Sequence, residues 1–330
     1  MQYSKKQLLP FLVLLMSLSF WLSCRQPLDK AEAGKHLRAM DHEMLSLMNQ
    51  IQGNGSFKVL KEILAIENVP TPFFAHKSPE PGAIRRFDFD KHKGFYEYDS
   101  VNQAFMRTAG SDSIIIIYHM AERPGIPARI IISAYDEEAG SSSLMFPLKL
   151  EAALYVGDRQ TARISHIARL EHQLPVEARL QIELENYRME MDFRNRLRRD
   201  YGKVRIAIVV ERDQKELMRW VTRSKAGLTN EGSFFMRWLK VDFQMFPVKI
   251  LAKVENDAID PHTIDFVEEF NKHSRIRAVR KADGRQIGDI RLRTRENSDK
   301  INYAFHFSDG SYLFVEDMML TAREILNIKK

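Results

Sequence analysis

From residue 29 onward the apolar positions follow a helical period, and beyond Gly94 they switch to a period of two. Leu37, Met40, Met44, Leu47, Met48 and Ile51 recur at three- and four-residue steps, which predicts an amphipathic helix over 29–52. Gly53-Asn54-Gly55 ends it, and Ser56 starts a second, shorter helix with Phe57, Leu60, Ile63 and Leu64 on one face. The two make a helical hairpin within 24–68. Four prolines between Val69 and Gly82 mark 69–93 as a linker without regular structure.

Past Gly94 the pattern is that of short strands with one wet face. Phe95–Tyr98 and Ala104–Arg107 flank a turn, and Ile114–Tyr118 is an apolar run suited to a strand buried on both faces. Leu148, Leu150, Ala152, Leu154 and Val156 alternate with Lys149, Glu151 and Tyr155, and the alternation returns in Leu180–Leu184 and Val204–Val210. Met189–Tyr201 is strongly basic and ambiguous in period. Asp213 is placed to cap a short helix holding Leu217, Met218 and Val221, and Asp260 or Thr263 to start another with Ile264, Phe266, Val267 and Phe270. Asp283-Gly284 and Asp309-Gly310 sit between alternating runs, the strongest short hairpin cue. Met318–Ile328 reads as a closing helix. The predicted class is α+β and β-rich: mainly antiparallel sheets, an N-terminal helical hairpin and a C-terminal helix. One β-rich domain spans 94–200 and a second α+β one spans 201–330, with the boundary near Asp200–Lys203, or the two pack as one unit.

The first 23 residues have a different pattern. Lys5 and Lys6 precede an almost wholly apolar run, Leu8–Leu22, shorter than the roughly 20 residues a spanning helix needs, and small Ser23 precedes Cys24. That is the layout of an export signal. Trp21-Leu22-Ser23-Cys24 resembles the lipobox of bacterial lipoproteins, with Trp21 where that family usually has Leu; the resemblance covers residues 1–24 only. It implies removal of 1–23 and acylation of Cys24, which becomes the new amino terminus. Arg25-Gln26, in place of an Asp after the cysteine, points to the outer membrane. The absence of an acidic cluster in Gln26–Lys30 favours the periplasmic face over the cell surface. The membrane, reached through the N-terminal lipid, is therefore the first expected partner.

Composition narrows the chemistry. Hydrophobic residues at 44% of the 330 are ample for a packed core. Lys5 and Lys6 are the only charges before Cys24, so the formal charge of +6 falls to +4 in the mature chain, too small an excess to argue for nucleic acid. Cys24 is the only cysteine, so the mature body has no thiol for disulfides, zinc-thiolate sites or nucleophilic catalysis. His42-Glu43 begins like a zinc-protease motif, but Ser46 stands where the second histidine belongs. Ser141–Ser143 is a polar turn, and His166 falls on the apolar face of its strand. Glu137-Glu138 and Glu268-Glu269 are adjacent in sequence and point apart, whereas a glycosidase pair faces across its substrate. No catalytic residue, cofactor or metal site is predicted.

One surface arrangement carries a candidate site. Arg291, Arg293 and Arg295 alternate along a strand and share one face, opposite Ile290, Leu292 and Thr294, with Arg275 and Arg277 on a neighbouring strand. Such a row can grip phosphates of anionic lipid or lipopolysaccharide head groups. Asp289, Glu296, Glu183 and Glu185 are available to neutralise it. Arg194, Arg196, Arg198 and Arg199 form a second basic group. The expectation is a membrane-anchored envelope lipoprotein with a non-catalytic binding or scaffolding role. A carrier of lipid or another hydrophobic ligand in a sheet-and-helix cavity is the alternative, and an enzyme with a discontinuous carboxylate site the third reading.

Overall fold

The structure, a computed structural model, describes residues 26–66, 69–72, 86–119, 125–140, 145–197, 201–228, 234–260, 263–296 and 300–321. Cys24, Arg198, Arg199, Ser141–Ser143 and the predicted closing helix beyond 321 lie outside them. The chain is β-rich and mostly antiparallel, and it divides into two compact units. The larger comprises Glu43–Met245 and Lys253–Ile259, and the smaller holds the remainder.

Helix α1 (Lys30–Gly53) gives its first half to the smaller unit and its second to the larger. In the larger unit α2 (Gly55–Ala65) follows at once. Asn54, rather than Ser56, caps it by accepting from the Ser56 and Phe57 amides. A short helix α3 (Phe89–His92), capped by Asp88, interrupts the expected linker. Eleven strands come next: β1 (Gly94–Asp99), β2 (Ala104–Ala109), β3 (Ile114–His119), β4 (Pro127–Ala139), β5 (Met145–Val156), β6 (Arg159–Glu171), β7 (Leu174–Leu184), β8 (Tyr187–Leu197), β9 (Tyr201–Arg212), β10 (Lys215–Leu228) and β11 (Phe234–Met245). Their order is β2-β1-β3 and then chain order to β11. All pairings are antiparallel except β1 with β3, because the chain leaves β2 and returns on the other side of β1.

Two-residue turns drive this meander. His172-Gln173 and Asp213-Gln214 each hold two positive φ angles, the geometry that matches the twist of paired strands. Asp213 therefore turns a hairpin instead of capping a helix, and Leu217, Met218 and Val221 belong to β10. The basic segment from Met189 is β8, paired with β9 as far as Leu197 opposite Gly202. A hairpin thus spans the predicted boundary at Asp200–Lys203, and the division between the units falls after Met245 instead. Ile114–Tyr118 buries Ile114 and Ile116, on one face only.

The smaller unit holds β12 (Val248–Val254, its last two residues counted with the larger unit), α4 (Phe266–His273, capped by Asp265), β13 (Ser274–Arg280), β14 (Gln286–Thr294), β15 (Ile301–His306), β16 (Tyr312–Phe314) and α5 (Val315–Met318). β13 to β16 form antiparallel hairpins in chain order, with Gly284 and Gly310 at positive φ in the two predicted turns. Leu37, Met40, Ile287 and Phe305 are at most 1% exposed, and each such burial contributes roughly 1.5–3 kcal/mol. The N-terminal segment is locked in. The Leu28 amide donates to the Gln286 carbonyl at 2.8 Å, Arg280 reaches Glu32 at 2.6 Å, and buried Asp41 accepts from the Leu320 amide and from both the amide and hydroxyl of Thr321.

Candidate functional site

Strand alternation gives the larger unit's sheet two opposite faces, and register turns the apolar one into continuous lanes. Reading across strands, Ile132 faces Ala152, which faces Ile164, then Ile182, Met189, Val210, Met218 and Met245. The next lane runs from Leu150 through His166, Leu180, Met191 and Ile208 to Trp220 and Phe243. At about 4.8 Å per strand the first lane extends about 34 Å.

Burial along the lanes is uneven. Ile132 is 1% and Leu150 5% exposed, whereas Met189 is 37% and Trp220 44% exposed. Isolated exposed apolar residues are ordinary; here they stand in register with partly exposed Met191, Ile208 and Met218. Methionines at Met189, Met191 and Met218 suit an adaptable surface, since an unbranched thioether fits many shapes. His166 takes no part as a ligand: its Nε2 donates to the Pro147 carbonyl at 2.9 Å.

At the β4–β6 end the lane opens into a recess of about 150 Å³ under α2, lined by Leu60, Ile130, Ile132, Ala152, Leu154 and Ile164. Two small residues, Ala152 and Ala162, create it by interrupting a row of branched side chains. Thr71, also at its wall, is 3% exposed and its hydroxyl has no hydrogen-bond partner among the described residues. The exposed walls of the recess are almost wholly apolar, a lining suited to a hydrocarbon ligand.

The carboxylates singled out in the sequence do not converge. Glu137 is buried and accepts from the Phe87 amide and the Tyr135 hydroxyl, each at 2.5 Å, while Glu138 is exposed. Burial, reinforced by the Glu137 carboxylate, pushes the Tyr135 hydroxyl well above the ordinary phenol range. Glu269 pairs with His273 on α4. These are structural contacts.

The arginine row in the smaller unit is regrouped. Arg291 and Arg293 share the face of β14 as predicted, and β13 brings Arg277 opposite Asp289. Arg275, Arg277, Asp289 and Arg291 line a polar recess of about 340 Å³. Arg293 stacks on Tyr312 at 3.9 Å, and His306, beside it, is shifted to lower pKa by burial and then by Arg291 and Arg293. Arg295 leaves the row. It lies past the end of β14, pairs with Glu316 and Asp317 at 2.9 Å each and stacks on Phe314, so its charge is compensated. Glu183 and Glu185 lie in the larger unit. Arg275 and Arg277 were legible as neighbours; Arg295's partners come from a short helix that sequence did not mark.

Comparisons with family models, characterised proteins and solved structures find no match to this chain.

Proposed function

We propose that this chain is an exported lipoprotein, anchored through Cys24 and facing the periplasm from the outer membrane, whose larger unit carries an acyl-chain ligand on the apolar face of its sheet. The role is binding, not catalysis. The observation that carries the reading is the apolar lane that begins in the α2 recess and continues across β7–β11 with half-exposed Met and Trp side chains. A hydrocarbon chain entering at Ala152 is met by apolar side chains from every strand it crosses. A scaffold that only met other proteins would not need an apolar recess of about 150 Å³ at one end of its lane.

Two measurements test it. The chain Arg25–Lys330, the mature chain without its lipid-bearing cysteine, is titrated with a fluorescent fatty acid. Saturable binding is expected, and Ala152→Leu, which fills the recess, weakens it at least tenfold, or about 1.4 kcal/mol. Absence of saturable binding, or indifference to Ala152→Leu with the fold intact, overturns the carrier reading. Separately, Cys24→Ala in cells abolishes lipid labelling and releases the body into the soluble periplasmic fraction; an uncut, membrane-held variant refutes the anchor.

A further inference from the structure

The reverse face of the same sheet carries charge that acyl-chain binding does not use. Register across β8–β11 sets Arg194 opposite Arg205, Arg205 opposite Arg223, and Arg223 opposite Lys240. One step along the strands, Arg196 faces Lys203 and Lys203 faces Lys225. Seven cations therefore fill two adjacent rows on one face. The next row supplies two carboxylates, Asp192 and Asp242.

Like charges directly opposite each other destabilise a sheet, and this patch contains five such pairs in direct register. Compensation is partial. Asp192 takes Arg194 and Arg205 at 3.0 Å each, and Lys225 lies over the Tyr201 ring at 4.2 Å. Arg196, Lys203 and Arg223 are exposed and meet no carboxylate among the described residues. Helices and loops could have scattered these side chains. A rigid ladder instead holds them on a grid about 4.8 Å across strands and about 6.7 Å along them.

We infer that these rows form a docking face for an anionic phospholipid surface. A grid of cations on a sheet face spreads its charge over an area and is complementary to a plane of head-group phosphates; a site for one small anion needs its donors converging on a point. The field of several uncompensated cations adds up over the patch, and it draws such a surface from about a Debye length away. The inference takes only the membrane setting from the proposed function, and it stands whether or not the apolar face holds an acyl chain.

The test uses the same chain, Arg25–Lys330, so that no anchor contributes. Co-sedimentation is measured with vesicles of phosphatidylcholine alone and of phosphatidylcholine mixed with phosphatidylglycerol. Binding to the anionic vesicles is expected to be at least tenfold tighter and to weaken steeply with added salt. The triple variant Arg196→Gln, Lys203→Gln, Arg223→Gln loses that preference without any lowering of its thermal midpoint, since it also relieves like-charge pairs in the ladder. The charge-preserving pair Arg196→Lys, Arg223→Lys keeps it, as does the variant Arg275→Gln, Arg277→Gln, Arg291→Gln in the smaller unit. Equal binding to both vesicle types overturns the inference. So does a preference that survives the first triple variant, or one abolished by inorganic phosphate at matched phosphate, which marks a small-anion site. Fatty-acid titration of the first triple variant separates the two readings: unchanged acyl binding with lost vesicle preference leaves the carrier intact.

Discussion

The smaller unit and strands β6–β11 of the larger one are built from the same hairpins yet spend their apolar residues differently. In the smaller unit Phe305, Leu28, Leu37, Met40 and Ile287 are buried almost completely, Arg280 ties the N-terminal helix to the sheet through Glu32, and Asp41 ties it to Leu320 and Thr321. Along β6–β11 the apolar side chains are longer in register but shallower in burial: Ile206, Ile208, Met191 and Phe193 all stay partly exposed. The first arrangement maximises area removed from water. The second holds a surface in place, with stability drawn from ladder hydrogen bonds and cross-strand pairs, and leaves apolar area for a ligand.

That contrast is breakable. The largest expected effect is Phe305→Ala, which removes a fully buried ring from the smaller unit and costs about 3–5 kcal/mol. Ile208→Ala, on the partly exposed second lane, costs less than half as much. Denaturant unfolding monitored separately by tryptophan fluorescence and by circular dichroism reads both, and equal costs for the two would erase the distinction.

A smaller loss is expected from Asp41→Ala. The buried carboxylate accepts two backbone amides and a hydroxyl, and its removal leaves them with no acceptor in a site closed to water, at roughly 1–3 kcal/mol. Asp41→Asn keeps one acceptor oxygen and recovers part of the loss. If both variants match the parent, the helix is not held to the chain end by this contact.

The smallest effect concerns pH. The Arg280 side chain, then the Arg285 amide, holds the Asp283 carboxyl far below its usual range. A depressed folded-state pKa contributes stability that is fully present above the ordinary carboxylate range and is lost as pH falls through the folded value. Asp283→Asn should therefore flatten the acid limb of the smaller unit's stability curve and leave neutral pH nearly untouched, because the pair is exposed and solvent-screened. An acid limb unchanged in Asp283→Asn assigns the loss to other carboxylates.

The period-two alternation, the helical pair and the Asp-Gly hairpins at Asp283 and Asp309 were legible, because each rests on local chemistry. The turns at His172-Gln173 and Asp213-Gln214 were not, since neither contains glycine and both adopt positive φ under the pull of the flanking strands. For the same reason Asp213 read as a helix cap. The parallel pairing of β1 with β3 left no local mark. The lanes and the cation rows were hidden for a different reason: Arg194 and Lys240 are distant in sequence, and only register across four strands puts them in one line. Ala152 and Ala162 carry no local mark of a recess either, because it depends on the larger neighbours that register sets beside them.

Leu28 bears on more than packing. It is fully buried, its amide is bonded to Gln286, and the Gln26 carbonyl just before it accepts from Arg285 at 3.1 Å. On the proposed anchor at Cys24, three residues lie between the acylated position and this fixed point, and the four steps span at most about 14 Å. The anchor then behaves as a pivot pin and not as a leash. If Cys24 is acylated as proposed, the smaller unit is held at the bilayer and turns in place, and whatever the protein meets comes to that surface.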